Sequence, residues 1–267
     1  MPDFSRLDEI RARRPLVHCI SNIVSANDCA NLALAVGASP MMAHAVEEME
    51  DITTISSATV LNTGTPDAER FRVCRACGKA ANAAGQPLIL DPVGVGASPW
   101  RLAEIRRLLD EVRPDLLRVN FGEALALCHE AGREQGVDST LVAAREQRIA
   151  AAGALAKLTG ACVLLTGEED AVHDGARVRL IQGGSALSGR VTGTGCMLTV
   201  LCGAFAAVEP DAAEAACLAS AFWKLCAERA ERESAGRGPG SFHTALFDAA
   251  GTLDSAGLAA RGNILTI

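Results

Sequence analysis

Four short apolar runs, separated by longer amphipathic stretches, strongly limit the folds open to this chain. Each run ends at a polar or glycine-containing turn, which is typical of buried strands. The intervening stretches at 67–84, 99–112 and 139–158 are long enough for crossover helices. This alternation predicts βαβ units, and therefore an α/β fold with a mostly parallel central sheet and helices on both faces. The four runs are Ala58–Leu61, Pro87–Leu90, Leu116–Val119 and Cys162–Leu165.

The rest of the chain is expected to complete this sheet and cover it. A hairpin is predicted over Asp170–Ile181, around the turn residues Asp174 and Gly175. Aromatic residues make up only 3% of the sequence, so the core must be built mainly from Ala, Val, Leu and Ile. Without a linker, repeat or low-complexity tract, residues 1–267 are expected to form a single domain. Closing helices are predicted over Cys196–Val208, Ala212–Arg232 and Ser241–Ala250.

Charge and hydropathy patterns exclude several classes of protein. The longest uncharged stretch that reads as one element, Cys196–Val208, is shorter than the roughly 20 residues of a membrane span. The N-terminus carries charges where a secretory signal needs an apolar run. The net charge is −7, and the short basic clusters lie beside acids, which argues against nucleic-acid binding. We therefore expect a soluble cytoplasmic protein that binds neither membranes nor nucleic acids.

The ten cysteines do not resemble a disulfide framework. They are scattered through apolar segments of a chain without an export signal, which favours small core residues. Cys74 and Cys77 form a lone CxxC pair within a helical pattern, with no second pair at zinc-finger spacing. A metal or redox role for this pair is the minor alternative.

Polar residues stand where the predicted strands end. In open α/β sheets ligands bind outside the carboxyl ends of the strands, so these residues are expected to share one crevice. Asp91 is a candidate ligand of Mg²⁺, with Arg118 on phosphate and Glu123 on metal-bound water. Each could instead form a structural ion pair or a helix cap. The residues at the strand ends are Asn62, Asp91, Asn120 and Thr166.

A glycine- and threonine-rich turn supplies a candidate phosphate site. The chain has neither the GxxxxGK[ST] nor the GxGxxG pattern, so a phosphate site must be built differently. Residues 191–196, Val-Thr-Gly-Thr-Gly-Cys, lead directly into an apolar helix. Unpaired N–H groups and the positive end of the helix dipole would suit a phosphoryl group in transfer. The alternative is an ordinary helix start capped by Thr192 or Thr194.

Cys196 falls in the first turn of that helix. There the helix dipole is expected to lower the pKa of its thiol, so that it could act as a base or as a polar contact to an alcohol. Burial as a small core residue is the alternative.

Two segments near the N-terminus, 17–22 and 37–42, are predicted as loops on either side of a helix over Ser25–Val36. Met42 could form a soft wall for a flat heteroaromatic ring, or simply pack in the core.

Five ordered motifs identify a family resemblance. The sequence resembles the hydroxyethylthiazole kinase family of the ribokinase-like superfamily from 15–18 to 238–242, nearly its whole length. The motifs are Gly-Ala-Ser-Pro at 37–40, Leu-Asp-Pro-Val-Gly at 90–94, Arg118-x-Asn120-x-x-Glu123, Leu-Thr-Gly-Glu at 165–168, and Val-Thr-Gly-Thr-Gly-Cys at 191–196.

The resemblance implies a transferase that uses ATP and Mg²⁺ to phosphorylate the hydroxyl of 4-methyl-5-(2-hydroxyethyl)thiazole, a salvage step in thiamine biosynthesis. It also implies a homotrimer with active sites between subunits. By the same resemblance, Met42 and Gly193 fall at substrate-binding positions, and Arg118 and Thr166 at ATP-binding positions. Asp91 and Glu123 match acidic positions near Mg²⁺, and Cys196 matches the Cys that replaces the Asp base of other ribokinase-like enzymes.

Departures from the family pattern at 23–29 and 121–122 concern substrate fit and nucleotide contacts. Two alternatives stay open. One is a related enzyme, such as a hydroxymethylpyrimidine kinase or a nucleotide-repair dehydratase, which Cys196 disfavours. The other is a nucleotide-binding regulator without catalysis, against which Asp91, Glu123 and Cys196 argue.

Overall fold

The fold is built on one twisted sheet, seen here in a computed structural model that describes residues 2–128 and 145–267. The described strands run in the order β2-β1-β3-β4-β5-β6-β7-β8-β9. Neighbours from β2 to β6 are parallel, and β7 to β9 are antiparallel additions. The strands are β1 Leu16–Ile20, β2 Ser39–Met41, β3 Ala58–Asn62, β4 Leu88–Asp91, β5 Leu116–Asn120, β6 Cys162–Thr166, β7 Asp170–His173, β8 Val178–Ile181 and β9 Ile264–Thr266.

Helices connect the parallel strands and close the fold after the hairpin. The described α-helices are α1 Arg6–Arg13, α2 Ala26–Val36, α3 Met49–Ile55, α4 Ala68–Ala84, α5 Pro99–Glu111, α6 Phe121–Cys128, α7 Arg145–Thr159, α8 Thr194–Ala206, α9 Ala212–Glu233, α10 Pro239–Thr252 and α11 Ser255–Arg261.

The sheet carries a hydrophobic core on each face. Successive side chains of a strand point to opposite faces, so Val60 joins the core under α2, α8, α9 and α10. Its neighbour Leu61 joins the core under α4, α5 and α7. Small residues allow close approach: a Cβ on Gly203 of α8 would lie 2.7 Å from Val60. Both predicted helix layers are therefore present.

Most predicted elements are confirmed. The four apolar runs form β3, β4, β5 and β6, and the hairpin forms β7 and β8. The helices over 25–36, 67–84, 99–112, 196–208, 212–232 and 241–250 match α2, α4, α5, α8, α9 and α10 within a few residues. Of the helix predicted over 139–158, residues 139–144 lie outside the described part, and the remainder falls in α7.

The two loops predicted near the N-terminus are wrong in part. Residues 16–20 form β1, which pairs with both β2 and β3, and 39–41 form β2. Buried His18 and Cys19 obscured the apolar pattern of β1, and β2 is a three-residue edge strand that accommodates Pro40.

The described residues bear on two sequence-based expectations, which concern membrane-spanning helices and the cysteines. Within 2–128 and 145–267, no helix combines the length and the apolar character that a membrane crossing requires. The ten cysteines all lie in this part of the chain and are free thiols, and Cys74 and Cys77 are both buried in α4.

Candidate active site

Four polar residues meet where the parallel strands end. Asn62 of β3 lies beside Asp91 of β4 in the sheet register. Asn120 of β5 lies beside Thr166 of β6. Because parallel strands share one carboxyl edge, all four residues lie at the same edge of the sheet, as the sequence predicts.

Asp91 is the buried acid at the centre of this edge. Its Oδ2 accepts hydrogen bonds from Thr199 Oγ1 at 2.8 Å and from Asn62 Nδ2 at 3.1 Å. Its Oδ1 lies 3.6 Å from Nη1 of Arg118. Burial raises the pKa of the Asp91 carboxyl to about 6, against the opposing effect of the Arg118 cation.

Arg118 links the acid to the neighbouring strand and to the glycine-rich turn. Its Nη2 donates to Oγ1 of Thr166 at 2.7 Å. The guanidinium also lies against Gly195, where an added Cβ would be 2.6 Å from both terminal nitrogens. Two predicted ATP-binding residues, Arg118 and Thr166, are thus in direct contact.

Two buried polar atoms at this point lack hydrogen-bond partners among the described residues: Oδ1 of Asp91 and Nε of Arg118. An unsatisfied buried polar atom costs free energy, and such atoms are rare in folded proteins. An unpaired carboxylate oxygen beside an unpaired guanidinium nitrogen suits a polar ligand that offers both negative charge and a cation.

The start of α8 is open to a ligand. Gly193 precedes the helix with φ +82°, a left-handed conformation that favours glycine. The first described intrahelical bond runs from Met197 N to Gly193 O at 2.8 Å, so the N–H groups of residues 194–196 have no acceptor within the helix.

The capping alternative for this helix start is wrong. Among the described residues, no side chain caps the start of α8. Thr194 instead donates its hydroxyl to the Ser188 carbonyl at 3.1 Å. The free amides therefore fit the anion-binding interpretation of the turn.

Cys196 lies in the first turn of α8, within reach of the end of β1. Its Sγ accepts a hydrogen bond from Nδ2 of Asn22 at 3.3 Å. Burial raises the pKa of the Cys196 thiol above its ordinary value, and the Asp91 carboxylate raises it further. The sequence-based expectation of a lowered pKa is wrong, because it considered the helix dipole without the burial and the nearby acid.

Glu123 serves as a helix cap. Its Oε2 accepts from Asn120 N at 2.9 Å, while Asn120 Oδ1 accepts from Glu123 N at 2.8 Å, a reciprocal capping box for α6. Its Oε1 accepts from Gly94 N at 2.8 Å, which ties the segment after Asp91 to α6. The cap that the sequence left open as an alternative is therefore present.

A divalent cation fits this edge only if the protein and the substrate both supply its ligands. Within the described residues, no group of three or more His, Cys, Asp or Glu side chains could hold a metal. Mg²⁺ commonly binds through one or two carboxylates together with phosphates and water. The unpaired Oδ1 of Asp91 supplies a ligand of the right type. Both Glu123 oxygens already accept backbone N–H groups, so Glu123 would contact the cation through water.

Met42 lies at the same edge of the sheet, directly after β2. It is partly buried and packs against the core under α2 and α8. The carbonyl of the next residue, Ala43, is bonded to Nε2 of His18 at 3.0 Å, which anchors this segment to β1. No described contact joins Met42 to Cys196.

Asn22 and Thr199 were not identified from the sequence as residues of the site. Asn22 stood in the first of the two supposed loops, and its strand-end position was hidden because β1 was not recognised. Thr199 lies one helical turn after Gly195, so its hydroxyl returns to the edge of the sheet beside Asp91.

Comparisons with known proteins agree on one family. The sequence model of the hydroxyethylthiazole kinase family matches residues 7–256. Hydroxyethylthiazole kinase of Listeria monocytogenes serovar 1/2a is 43% identical over 249 residues, which cover 93% of this chain and 92% of the relative. A solved hydroxyethylthiazole kinase structure from Pyrococcus horikoshii is 36% identical with a TM-score of 0.90, covering 99% of this chain and 98% of its own.

A more distant structure supports the fold alone. A ribokinase-like superfamily protein from Enterococcus faecalis is 14% identical with a TM-score of 0.62, and the match covers 93% of this chain and 94% of the other. The central sheet with helices on both faces is therefore ribokinase-like.

Proposed function

This chain belongs to the hydroxyethylthiazole kinase family, and on that premise we propose that it transfers the γ-phosphoryl group of ATP to the primary hydroxyl of 4-methyl-5-(2-hydroxyethyl)thiazole. It is an enzyme, a kinase of thiamine salvage.

One observation carries the proposal most directly. Arg118 lies between the buried acid Asp91 and the uncapped start of α8, in contact with Gly195. A cation, an acid and free backbone amides at one point can together receive a polyphosphate and its counter-ion.

The ATP side of the site consists of Arg118 and Thr166. We assign the guanidinium to the phosphates, because it remains charged and has an unpaired Nε. Thr166 Oγ1 accepts from Arg118 and can donate to the Val119 carbonyl at 3.2 Å, so it fixes the orientation of the guanidinium.

The transferring group would be stabilised by the amides of the α8 start. Gly193 allows the chain to turn there, and a side chain at this position would meet Ser25 at 2.9 Å. Preorganised N–H donors stabilise charge that develops in a transition state, and positioning supplies much of the remaining rate. Bound Mg²⁺, held by Asp91 and through water by Glu123, would offset charge on the ATP phosphates.

Cys196 contacts the acceptor alcohol in this proposal. Its thiol is protonated at neutral pH because its pKa is raised, so little thiolate is present to act as a base. A dissociative phosphoryl transfer needs little help from a base, since the alcohol keeps its proton until late in the reaction and can then release it to a phosphoryl oxygen or to water. Sγ would orient the hydroxyl, and Met42 and Gly193 would bound the thiazole.

We also propose a single domain, a cytoplasmic location and a homotrimeric assembly. Residues 1–267 form one domain, supported by the continuous sheet of the described residues. The enzyme is a cytoplasmic homotrimer with sites between subunits. The trimer is supported by the large apolar side chains of Ile23 and Val24, which follow Asn22 in the chain and are 79% and 57% exposed. A light-scattering mass of one subunit at active concentrations would contradict the trimer.

A coupled ADP-release assay tests the function. Wild-type protein is supplied with MgATP and hydroxyethylthiazole, beside hydroxymethylpyrimidine and a sample without acceptor, and the product mass is measured. We expect thiazole-dependent ADP release and a phosphate ester of the thiazole. Turnover with the pyrimidine alone, or with neither acceptor, would contradict the proposal.

A further inference from the structure

Lys224 on α9 is a buried lysine that the proposed mechanism does not use. The sequence contains only three lysines, and Lys79 is an exposed one whose side chain is 56% exposed. The Lys224 side chain is 9% exposed. Burying an ammonium group costs several kcal/mol unless it is well paired, so its partners are informative.

The partners of Lys224 belong to two turns at the carboxyl edge of the sheet. Nζ donates to the carbonyl of Gly167 at 3.3 Å and to that of Glu168 at 3.0 Å, in the turn directly after Thr166. It also donates to the carbonyl of Gly183 at 3.2 Å, just after β8. One ammonium thus joins the adjacent carbonyls of Gly167 and Glu168 to the carbonyl of Gly183, which lies in a separate turn.

Asp170 balances the charge of Lys224 and closes the first turn. Its Oδ1 lies 3.3 Å from Nζ of Lys224 and accepts from Gly167 N at 2.8 Å. Its Oδ2 accepts from Ser220 Oγ at 2.7 Å, one turn earlier on α9. The segment between Thr166 and Asp170 is therefore fixed to α9 by buried, charge-assisted bonds.

The second turn leads to the phosphate side of the site. Glu228, four residues after Lys224 on α9, accepts from Gly184 N at 3.0 Å. The chain then passes to Ser188, whose carbonyl accepts from Thr194 at the start of α8. The same face of α9 thus holds the segment after Thr166 and the segment before Gly193.

We propose that Lys224, together with Asp170, is a positioning residue for the nucleotide: it fixes the backbone after Thr166 so that Thr166 and Arg118 meet the ATP phosphates. The inference rests on the proposed function in taking Thr166 as an ATP contact. An apolar side chain of similar length would fill the space without the desolvation cost. The ammonium is needed because the three carbonyls must be held in one arrangement.

The test compares three variants with wild type. Lys224→Met removes the ammonium and keeps most of the aliphatic stem. The double variant Lys224→Met/Asp170→Asn leaves no unpaired buried charge, so it carries the test if the single variant does not fold. Lys79→Met is the matched control, since Lys79 pairs with Glu111 on the surface. In the wild-type structure Arg148 also donates to the Glu169 carbonyl at 2.8 Å, and none of the substitutions removes either partner of this bond.

The readouts are the KM values for ATP and thiazole, kcat, and the Kd of ADP by calorimetry. We expect the KM for ATP and the Kd of ADP to rise about tenfold or more in both Lys224 variants. The KM for thiazole should stay within about twofold of wild type, and Lys79→Met should match wild type throughout.

A merely structural role would give a different pattern. Folded variants with an unchanged Kd for ADP, or a loss of kcat in proportion to the folded fraction at unchanged KM values, would overturn the proposal. Wild-type protein that binds ADP without thiazole-dependent turnover would contradict the proposed function instead. The ADP calorimetry of the variants would then decide this inference by itself.

Discussion

The side-chain amide of Asn22 donates to Sγ of Cys196 across 3.3 Å, which joins the end of β1 to the start of α8. The same nitrogen donates to Oδ1 of Asn62 at 2.9 Å, and Asn22 Oδ1 accepts from the Val24 and Ser25 amides. Because the sulfur accepts from Asn22, its own proton remains available to another acceptor. The thiol is therefore held in place as a protonated, oriented group.

Cys196→Ala should lower kcat and leave measurable activity. The protonated thiol orients the acceptor alcohol and contributes little as a base, so we expect a loss of about 10- to 100-fold rather than a complete one. Steady-state kinetics with saturating MgATP measure this. Complete loss of turnover in a folded variant that still binds ADP would contradict this minor role as a base.

The pH dependence of wild-type kcat provides a second test of Cys196. Its pKa is raised above the ordinary value of 9.0, so the protonated thiol predominates throughout neutral pH. If the protonated form is competent, kcat should be nearly constant from pH 7 to 9. An essential thiolate would instead make kcat rise about tenfold per pH unit over this range.

Asn22→Ala should reduce kcat with little effect on the KM for ATP. The change removes the donor to Cys196 and the acceptor for the Val24 and Ser25 amides, while Arg118 and Thr166 keep their mutual bond. We expect a loss of about tenfold or more in kcat. Asn31→Ala is the control, because Asn31 is exposed and bonds only Asn27 among its described hydrogen-bond partners. Equal losses in both variants would contradict a role for Asn22.

Gly195→Ala should weaken ATP use more than it weakens the fold. The new Cβ would lie 2.6 Å from both terminal nitrogens of Arg118, so the guanidinium must move away from Asp91 and Thr166. We expect the KM for ATP to rise about tenfold or more, and the free energy of unfolding to fall by roughly 1–2 kcal/mol. Gly189→Ala is the matched control, since its Cβ would meet nothing within 4 Å. Similar kinetics in the two variants would show that Arg118 is not confined by Gly195.

The central strands and their ends could be predicted because their signals are local. Each of the runs at 58–61, 87–90, 116–119 and 162–165 is mostly apolar, and each is followed by a polar residue. Their shared carboxyl edge then follows because strands joined by crossover helices run parallel. The sequence therefore predicts that Asp91 and Arg118 lie at the same edge of the sheet.

The missed features depend on contacts that are distant in sequence. β9 exists because Leu265 pairs with Leu180 across the sheet, and nothing near Leu265 indicates that pairing. The pKa of Cys196 is raised by burial and by the carboxylate of Asp91, which is far from Cys196 in the sequence. The pairing of Lys224 with Asp170 likewise requires the folded positions of α9 and β7.

His18 is a buried histidine that should make stability depend on pH. It is fully buried, with Nε2 bonded to the Ala43 carbonyl at 3.0 Å and Nδ1 3.5 Å from Sγ of Cys77. Burial lowers its pKa below 6.5 in the folded state. As the pH falls through 6.5, the unfolded chain gains a proton that the folded chain does not, so the free energy of unfolding falls.

His18→Gln should remove this contribution. We expect the difference in unfolding free energy between wild type and His18→Gln to shrink as the pH falls from 7.5 to 5.5, by at most about 1.4 kcal/mol per pH unit. Urea unfolding at several pH values measures it, and the buried Asp91 affects both proteins alike. His44→Gln is the control, because His44 is exposed and its ring contacts the Met42 carbonyl rather than Ala43 or Cys77. A difference between wild type and His18→Gln that stays constant over this range would mean that His18 takes up its proton equally in the folded and unfolded chains, and burial would then not control its charge.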